Sequence, residues 1–469
     1  MQFRPFIALF VLVFVVVGGG CATTAVISES SSTTVTSPGG AVETTLANGL
    51  KVIVKSDHRA PVVVSQIWYK VGSSYEHAGI TGVSHVLEHM MFKGTQKHGS
   101  GEFSRIIAEH GGKENAFTGR DYTAYFQQLE VSRLAISFEL EADRMRNLTL
   151  PEAEFKKELQ VVMEERRLRT EDSPSALTYE QFMATAFQAS AYHNPIIGWM
   201  NDIENLTRAD LVDWYRLWYA PNNATLVVAG DVDPKEVIAM AEQYFGSIEP
   251  SELTQLKPRI ETEQHGERRI EVNLQAKLPV VMMGYKTPVL RTFGAGESWK
   301  AYALEVLAHV LDGGDSARLS RYLIRGEEIA AQAGAGYDLI ARNESLFTLE
   351  GVPSNGGGLD AVEAALRQQI KNLQSELVTK DELRRVKAQV TAAKVYERDS
   401  VFYQAMQIGQ LETVGIDWRE GEQYAEQIAK VTAEQVRSVA QEYLIENRLT
   451  VARLNPQQKP SPKIERDEQ

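Results

Sequence analysis

Three things are scarce in this sequence: cysteine, surplus positive charge and long apolar runs. Cys21 is the single cysteine among 469 residues, so no disulfide can form within the chain. The net charge of −13 disfavours nucleic acid as a partner, because like charges repel. The apolar run 6–17 has twelve residues and cannot span a bilayer, which takes about 20. What remains is an ordinary globular composition, and its length predicts two or three domains instead of one core.

The N-terminal residues carry a targeting signal. Arg4 and the apolar run 6–17 are typical of a signal peptide, which we predict over residues 1–20. Small residues before the lone Cys21 resemble a bacterial lipoprotein cleavage site, at which the cysteine becomes lipidated. Such sites usually have leucine where this chain has Gly18, so ordinary signal cleavage nearby is the alternative.

The residues after Cys21 suggest where the protein resides. Ala22 follows the cysteine, whereas aspartate at that position is associated with retention in the inner membrane. We therefore expect an exported protein, lipid-anchored in a bacterial membrane, with the outer membrane facing the periplasm favoured. Residues 22–38 are rich in Ser and Thr without an apolar period, so the segment 21–41 is predicted to be a flexible tether.

The chemistry of the chain is concentrated in residues 82–91, which include His85, Glu88 and His89. In a helix, two histidines four residues apart point the same way and can reach one metal ion. Glu88 leans over the same spot, where a carboxylate can take a proton from metal-bound water. This is the H-x-x-E-H pattern, the inverted form of H-E-x-x-H. A solvated surface helix is the alternative, but the neighbouring residues are too apolar for one.

A zinc site with two histidines and a water needs a third protein ligand. The predicted helix 151–169 offers Glu165, with Glu158 two turns earlier on the same face. The residues between them on that face are Val161 and Val162. A partly buried carboxylate needs a cation or a donor beside it, so Glu165 is the candidate ligand. Glu158 is predicted to support the zinc site from outside the ligand set. Glu164 points about 100° away and is predicted to be solvated.

The second part of the chain repeats features of the first. The recurring features are 61–64 with 279–282, His89 with His309, Thr207 with Thr432, and Tyr219 with Tyr443. Their offsets fall between 218 and 225 residues, which indicates a tandem duplication. In the second copy Glu305 stands in place of His85, and Ala308 in place of Glu88. The second copy is therefore predicted to have no working metal site.

The predicted organisation is two domains joined by a linker. Segments rich in β-branched and aromatic residues mix with helical segments, without a regular βαβ rhythm. We therefore predict the α+β class, with a largely antiparallel sheet and helices in each of two homologous domains. The predicted boundaries are a first domain 42–250, a linker 251–266, a second domain 267–456 and a polar tail 457–469.

Taken together, these motifs resemble those of the pitrilysin and insulinase type of zinc peptidase, which includes the mitochondrial processing peptidases. In this chain 75 residues separate His89 from Glu165, and Glu158 lies seven residues before that glutamate, as in the family. Further stretches that resemble family signatures are 111–123, 192–198 and 221–225. The resemblance extends from about residue 45 to 456 and is most specific in the first half.

The resemblance implies two homologous α+β domains that form half of a clamshell enclosing peptides. It implies one Zn²⁺ per chain, held by His85, His89 and Glu165, with Glu88 as the catalytic base. The substrate would bind as an added β-strand, along Asn115, Ala116, Phe117 and Thr118. The expected function is a zinc-dependent endopeptidase acting on peptides or unfolded segments. The alternative is a non-catalytic scaffold or assembly subunit of a processing-peptidase-like complex.

The resemblance also raises the question of a protein partner. The family usually completes its site from across the clamshell with an Arg, followed seven residues later by a Tyr, which hold the substrate. Arg325 matches the Arg, but Gln332 stands where the Tyr is expected, and Tyr337 comes five residues later. We therefore expect either a heterodimer with a non-catalytic paralogue that carries the Arg/Tyr pair, or a homodimer in which Gln332 or Tyr337 substitutes.

Overall fold

The computed structural model describes residues 34–37, 39–254, 256–257 and 259–457. The predicted signal peptide, Cys21, most of the tether and nearly all of the polar tail lie outside the described residues. Within the described ranges, no helix combines the length and the apolar character needed to cross a membrane.

The first half contains one sheet and the helices around it. Its strands are β1 (Val35–Thr36), β2 (Ala41–Thr45), β3 (Lys51–Ser56), β4 (Val62–Tyr69), β5 (Lys113–Thr118), β6 (Thr123–Glu130) and β7 (Ala224–Gly230). Its helices are α1 (Val83–Met90), α2 (Glu102–Glu109), α3 (Leu134–Arg146), α4 (Glu152–Arg166), α5 (Pro174–Ala186), α6 (Met200–Asn205), α7 (Arg208–Trp218) and α8 (Pro234–Phe245).

The second half has a comparable set of elements. Its strands are β8 (Arg268–Leu274), β9 (Val280–Thr287), β10 (Ala330–Tyr337), β11 (Ser345–Pro353) and β12 (Leu449–Pro456). Its helices are α9 (Trp299–Asp312), α10 (Leu359–Ser375), α11 (Lys380–Glu397), α12 (Val401–Val414), α13 (Glu420–Lys430) and α14 (Ala433–Tyr443).

The two sheets share one topology. The strand order is β1-β2-β3-β7-β4-β6-β5 in the first sheet and β10-β11-β9-β12-β8 in the second. In each sheet one pair is parallel, β3 with β7 and β8 with β12, and the other pairs are antiparallel. The second sheet therefore repeats the five strands β3–β7, to which the first sheet adds the β1–β2 hairpin. This confirms the predicted α+β class with two homologous, largely antiparallel units.

The repeated sequence features fall at equivalent places in the two halves. Thr207 and Thr432 both begin a helix as the N-cap of a capping box, in α7 and α14. Stretches 61–64 and 279–282 enter β4 and β9, and His89 and His309 lie on α1 and α9. Helix α1 follows β4, which pairs with β7, and α9 follows β9, which pairs with β12. β7 and β12 are the last strands of their sheets in chain order. The offsets in the sequence therefore reflect a repeat in three dimensions.

The halves exchange one helix each. Helix α5 of the first half packs on β8, β9 and β12, while α12 of the second half packs on β4 and β7. Glycines allow both close approaches: a Cβ at Gly409 of α12 would lie 2.1 Å from Trp68 Cε2, and one at Gly284 of β9 would lie 2.6 Å from Phe182 Cζ. Each sheet is thus covered in part by the other half, which ties the two units together.

A buried polar cluster forms a second connection between the halves. The Arg342 backbone N–H donates to Asp121 Oδ2 at 3.0 Å, and its guanidinium donates to Ser74 Oγ at 2.8 Å. Ser74 Oγ in turn donates to Asp121 Oδ1 at 2.7 Å. The guanidinium also lies over the Tyr75 ring, 4.0 Å from its centroid. One side chain of the second half therefore holds the β5–β6 turn against the loop before α1.

Several segments differ in detail from the sequence-based expectation. Strand β1 lies inside the segment 21–41 and pairs with β2, so the sheet begins within the predicted tether. The described residues of the linker 251–266 form neither helix nor strand, yet Glu261 accepts hydrogen bonds from the backbone N–H groups of residues 188–190. Helix α5 is not predicted from the sequence, and its packing on the sheet of the other half is visible only in the structure.

The close helix–sheet approaches predict how two substitutions affect stability. Gly409→Ala and Gly284→Ala each place a methyl group against a buried ring, and overpacking of this kind costs about 1–3 kcal/mol. Each variant should lower the free energy of unfolding in urea by about that amount. Gly266→Ala is the control, because a Cβ there meets nothing within 4 Å. Equal stability of all three variants would contradict the proposed tight contact between the halves.

Candidate active site

Helix α1 presents two faces with different roles. Its apolar face buries Val83, Val86, Leu87 and Met90 in the core of the first half. The spacing i, i+3, i+4, i+7 is that of one helical stripe. His85, Glu88 and His89 lie on the other side and are half-buried in a cleft. The H-x-x-E-H segment is therefore a helix, as predicted, anchored by its apolar residues.

A buried carboxylate holds the start of α1. Glu76 accepts hydrogen bonds from the backbone N–H groups of Gly82 at 2.7 Å and Ser84 at 2.9 Å. These are two of the donors that a helix N-terminus leaves without partners. Burial raises the pKa of Glu76 to about 7, although both backbone donors oppose the shift. Glu76 thereby fixes the turn from which the histidines project.

Helix α4 brings Glu165 to the histidines. Glu165 Oε2 lies 3.9 Å from Nε2 of His85 and 3.6 Å from Nε2 of His89. One ligand atom from each of the three residues lies within 4.8 Å of the other two. Zinc bonds of 2.0–2.2 Å in tetrahedral geometry separate the ligand atoms by roughly 3.3 Å. The two nitrogens and the oxygen therefore fit around a single divalent ion.

The protonation state of His85 suits metal binding. Burial lowers the pKa of His85 to about 3, and the neighbouring His89 and Arg169 act in the same direction. The imidazole is therefore neutral near pH 7, as a metal ligand must be.

Glu158 contacts one of the candidate ligands. Its Oε2 lies 3.1 Å from His89 Nδ1, and its Oε1 lies 2.8 Å from Lys93 Nζ. Glu158 therefore lies just outside the candidate ligand set, as the sequence predicted, and its contact is with the ligand His89. The crossing of α4 over α1 decides which ligand it contacts, because residues two turns apart on α4 meet different points along α1.

The buried face of α4 also differs from the prediction. Val162 is fully buried, but Val161 is 48% exposed. The other residues that α4 buries are Phe155, Glu158, Leu159, Met163 and Arg166. Because each residue turns the helix by about 100°, this face excludes Val161. Glu164 is 63% exposed and pairs with Arg167, as a solvated residue would.

Glu165 is also paired with an arginine that the sequence-based reasoning missed. Arg169 Nη1 lies 2.6 Å from Glu165 Oε1, so this oxygen is occupied while Oε2 faces the histidines. Arg169 lies in the π-helical turn Arg167–Glu171 that continues α4. Single π-turns often occur at functional sites. The spacing of four residues between Glu165 and Arg169 is visible in the sequence and could have indicated the pair.

Glu88 is held by a side chain of the neighbouring strand. The hydroxyl of Thr118, at the end of β5, donates to Glu88 Oε2. Burial raises the pKa of Glu88, and the hydrogen bond from Thr118 opposes the shift. Both residues lie in the same cleft as the histidines. The arrangement places a carboxylate of raised pKa beside the candidate metal position, where a general base is needed.

The cleft has a volume of about 640 Å³ and is lined by residues of the first half. It brings together His85, Glu88, His89 and Glu165 with all four predicted strand residues, Asn115, Ala116, Phe117 and Thr118. Arg120, Arg169 and His193 also line it, and the sequence-based reasoning did not single them out. Of these, Arg120 falls inside the stretch 111–123 already noted, and His193 falls inside the stretch 192–198. Arg325 does not line this cleft; it is exposed and donates to the Asp315 carbonyl in the second half.

The equivalent position in the second half has different partners. Glu305 Oε1 accepts a hydrogen bond from the Tyr424 hydroxyl at 3.2 Å, and His309 Nδ1 lies 3.0 Å from the Glu305 carbonyl oxygen. Among the described residues, only His85, His89 and Glu165 form a group of three side chains able to hold a metal ion. The degenerate second copy therefore has the helix of the first without its ligand set.

Both halves of the chain match models of known protein families. Residues 51–199 match the model described as insulinase, peptidase family M16, and residues 205–390 match the model described as the peptidase M16 inactive domain. Zinc protease PqqE of Helicobacter pylori is 34% identical over 351 residues, which cover 73% of this chain and 77% of that protein. The chain belongs to the M16 family of peptidases. The family's inactive-domain model falls largely on the half that lacks a ligand set.

Solved structures of M16 proteins share the fold. A protease from Helicobacter pylori aligns with a TM-score of 0.83 at 30% identity, covering 89% of this chain and 99% of that one. The periplasmic protease PqqL from Escherichia coli aligns with a TM-score of 0.73 at 17% identity, covering 89% of this chain but 48% of that one. This M16 chain therefore spans about half the length of PqqL, consistent with two domains that make up half of a clamshell.

Proposed function

We propose that this M16 chain is a zinc-dependent endopeptidase that hydrolyses peptides or unfolded segments. The observation that carries the proposal is the convergence of His85, His89 and Glu165 on one point, with Glu88 in the same cleft. The naming of relatives as zinc proteases supports zinc as the metal, one ion per chain. The donor set of two imidazoles and one carboxylate leaves a fourth position open, as in catalytic zinc sites.

The residues of the cleft have distinct roles in the proposed reaction. Zinc bound there would polarise the peptide carbonyl and make water a stronger acid. Glu88 accepts the proton of the attacking water and then transfers it to the leaving amine. Glu158 holds His89 through Nδ1, which keeps Nε2 directed at the metal position. Arg169 restrains Oε1 of Glu165 and leaves Oε2 as the ligand.

The edge strand β5 is the proposed docking surface for the substrate. Among the described strands it pairs only with β6 and lies at the edge of the first sheet, where a further strand can be added. Asn115, Ala116, Phe117 and Thr118 lie both on this strand and in the cleft. Strand addition uses main-chain hydrogen bonds, which discriminate little between different substrate side chains. We therefore expect a broad sequence preference.

The alternative is a scaffold or assembly subunit without catalysis. The second half has lost its ligand set in this way, since Glu305 and Ala308 stand where the first half has His85 and Glu88. The first half differs, because its base and all three candidate ligands are present and close together. The scaffold alternative would be favoured by purified protein that binds zinc and a partner but cleaves no peptide.

We propose further that this chain works with a second subunit that faces its cleft. The cleft is lined by the first half alone, and the chain matches about half of PqqL. The Tyr337 hydroxyl already donates to the Pro288 carbonyl at 2.7 Å, which argues against Tyr337 as a substitute for the missing tyrosine. Gln332 is exposed on β10 and remains available. A non-catalytic paralogue that carries the Arg/Tyr pair is the proposed partner, and a homodimer is the alternative.

We also propose that the protein is exported and anchored by a lipid at Cys21, in the outer membrane facing the periplasm. The support is the sequence pattern of residues 1–22. β1 begins at Val35, so 13 residues separate Cys21 from this strand.

The proposed roles predict different outcomes for three glutamates. Glu88→Gln should retain zinc and lose cleavage of a quenched peptide by about 10²–10⁴-fold, because the base is absent and the ligands remain. Glu165→Gln should lose both zinc and cleavage. Glu164→Gln is the matched control on the same helix, since Glu164 is exposed, and it should retain both. Zinc content measured by mass spectrometry and the cleavage rate together decide the roles. Zinc loss in Glu164→Gln alone would refute the ligand assignment.

The proposed partner predicts weak activity from the isolated chain. Adding the paralogue should raise turnover as a one-to-one complex forms, measured by light scattering together with peptide cleavage. Arg325→Ala should then have little effect on the heterodimer, because the paralogue supplies the arginine. Full activity from a homodimer would contradict the heterodimer proposal. If Arg325→Ala then abolished the activity of that homodimer, each chain would be completing the site of the other.

The proposed anchor predicts a change of fractionation. Cys21→Ser should give a soluble protein or an uncleaved precursor instead of a lipidated one, because the acceptor thiol is gone. Mass spectrometry of the mature N-terminus and membrane fractionation provide the measurement. An unlipidated mature wild-type N-terminus would instead identify a plain secreted protein.

A further inference from the structure

The last residue of β5 contacts the proposed base through its side chain. The Thr118 hydroxyl donates to Glu88 Oε2. Among the described residues, no other group hydrogen-bonds to this carboxylate. A glutamate side chain has three rotatable bonds, so a carboxylate without such a contact would sample several orientations. Thr118 therefore selects one of them.

Thr118 is itself held by its surroundings. It pairs with Thr123 across the β5–β6 hairpin, and the Gly119 N–H donates to the Tyr122 carbonyl at 2.7 Å. The turn is fixed from outside as well, since the Ser74 N–H donates to the Arg120 carbonyl at 2.8 Å. Arg342 of the second half reaches Asp121 in the same turn. The hydroxyl that orients Glu88 thus belongs to a restrained strand end.

We propose that Thr118 is a positioning residue that couples substrate docking to the base. Its hydroxyl fixes Oε2 of Glu88, which leaves Oε1 to accept the proton of the attacking water. This proposal rests on the proposed peptidase function and adds a role to the side chain of a residue otherwise expected to contribute its backbone. The same strand then holds the peptide and sets the direction of the base.

The coupling has a kinetic consequence. A peptide paired along β5 stays in fixed register with Thr118, and therefore with Glu88. Removing the hydroxyl leaves the strand edge intact, so peptide binding persists while the base loses its orientation. A change that acts on the transition state alone lowers kcat and leaves KM nearly unchanged. A misplacement of about 1 Å can lower the rate by about 10²-fold.

The test compares Thr118→Val with Thr118→Ser. Valine keeps the shape and removes the donor, so kcat on a quenched peptide should fall by about 10–100-fold, with KM and zinc content close to those of the wild type. Serine keeps the donor and should restore most of the lost kcat. Thr348→Val is the control for a valine in a strand, because Thr348 lies on β11 and donates to the Gly336 carbonyl in the second half.

Crystal structures of the wild type and Thr118→Val provide a readout independent of activity. Glu88 should keep one orientation in the wild type and rotate away in the valine variant. An unchanged Glu88 and an unchanged kcat in the valine variant would overturn the proposal, as would a serine variant as impaired as valine. A wild type that cleaves no peptide would refute the proposed function, while the orientation of Glu88 would still decide the role of Thr118.

Discussion

The crossing of α1 and α4 is the contact on which the site depends. It places two imidazoles and a carboxylate at the bottom of a cleft, where unpaired charge is costly. Each acidic group near the crossing has a cation or donor beside it: Lys93 beside Glu158, Arg169 beside Glu165, and Thr118 beside Glu88. The cluster is therefore compensated before any metal binds, and the ligand atoms are arranged in advance.

The second half supports this arrangement although it has no ligand set of its own. Its helix α12 covers part of the first sheet, and its Arg342 holds the β5–β6 turn against the loop before α1. In return, α5 of the first half covers part of the second sheet. A duplicated half that loses its ligands can thus remain necessary, because the exchange of helices makes each sheet incomplete without the other.

Strand β5 lies between the site at the α1–α4 crossing and the contacts made by the second half. It lies at the edge of the first sheet as described, its end carries Thr118, and the following turn is held by Arg342. The residue that Arg342 contacts, Asp121, is three positions after Thr118, whose hydroxyl donates to Glu88. Such contacts give a physical reason for retaining a half without a ligand set next to the half that has one.

Local patterns in the sequence determined much of this protein. The spacing of His85, Glu88 and His89 sets their common helix face wherever the helix lies, because 3.6 residues per turn is a property of the backbone. The recurring offsets likewise showed the duplication. Glu165 emerged from helix phase together with a resemblance to a known family.

Only the tertiary structure decided how separate elements meet. The partner of Glu158 depends on the angle at which α4 crosses α1, which no spacing within α4 contains. The burial of Val161 and Val162 depends on the same packing. The exchange of α5 and α12 and the contact between Thr118 and Glu88 join residues far apart in the chain. These contacts depend on the shapes of the surfaces that pack together, whereas helix phase and repeat offsets are local properties that the sequence determines by itself.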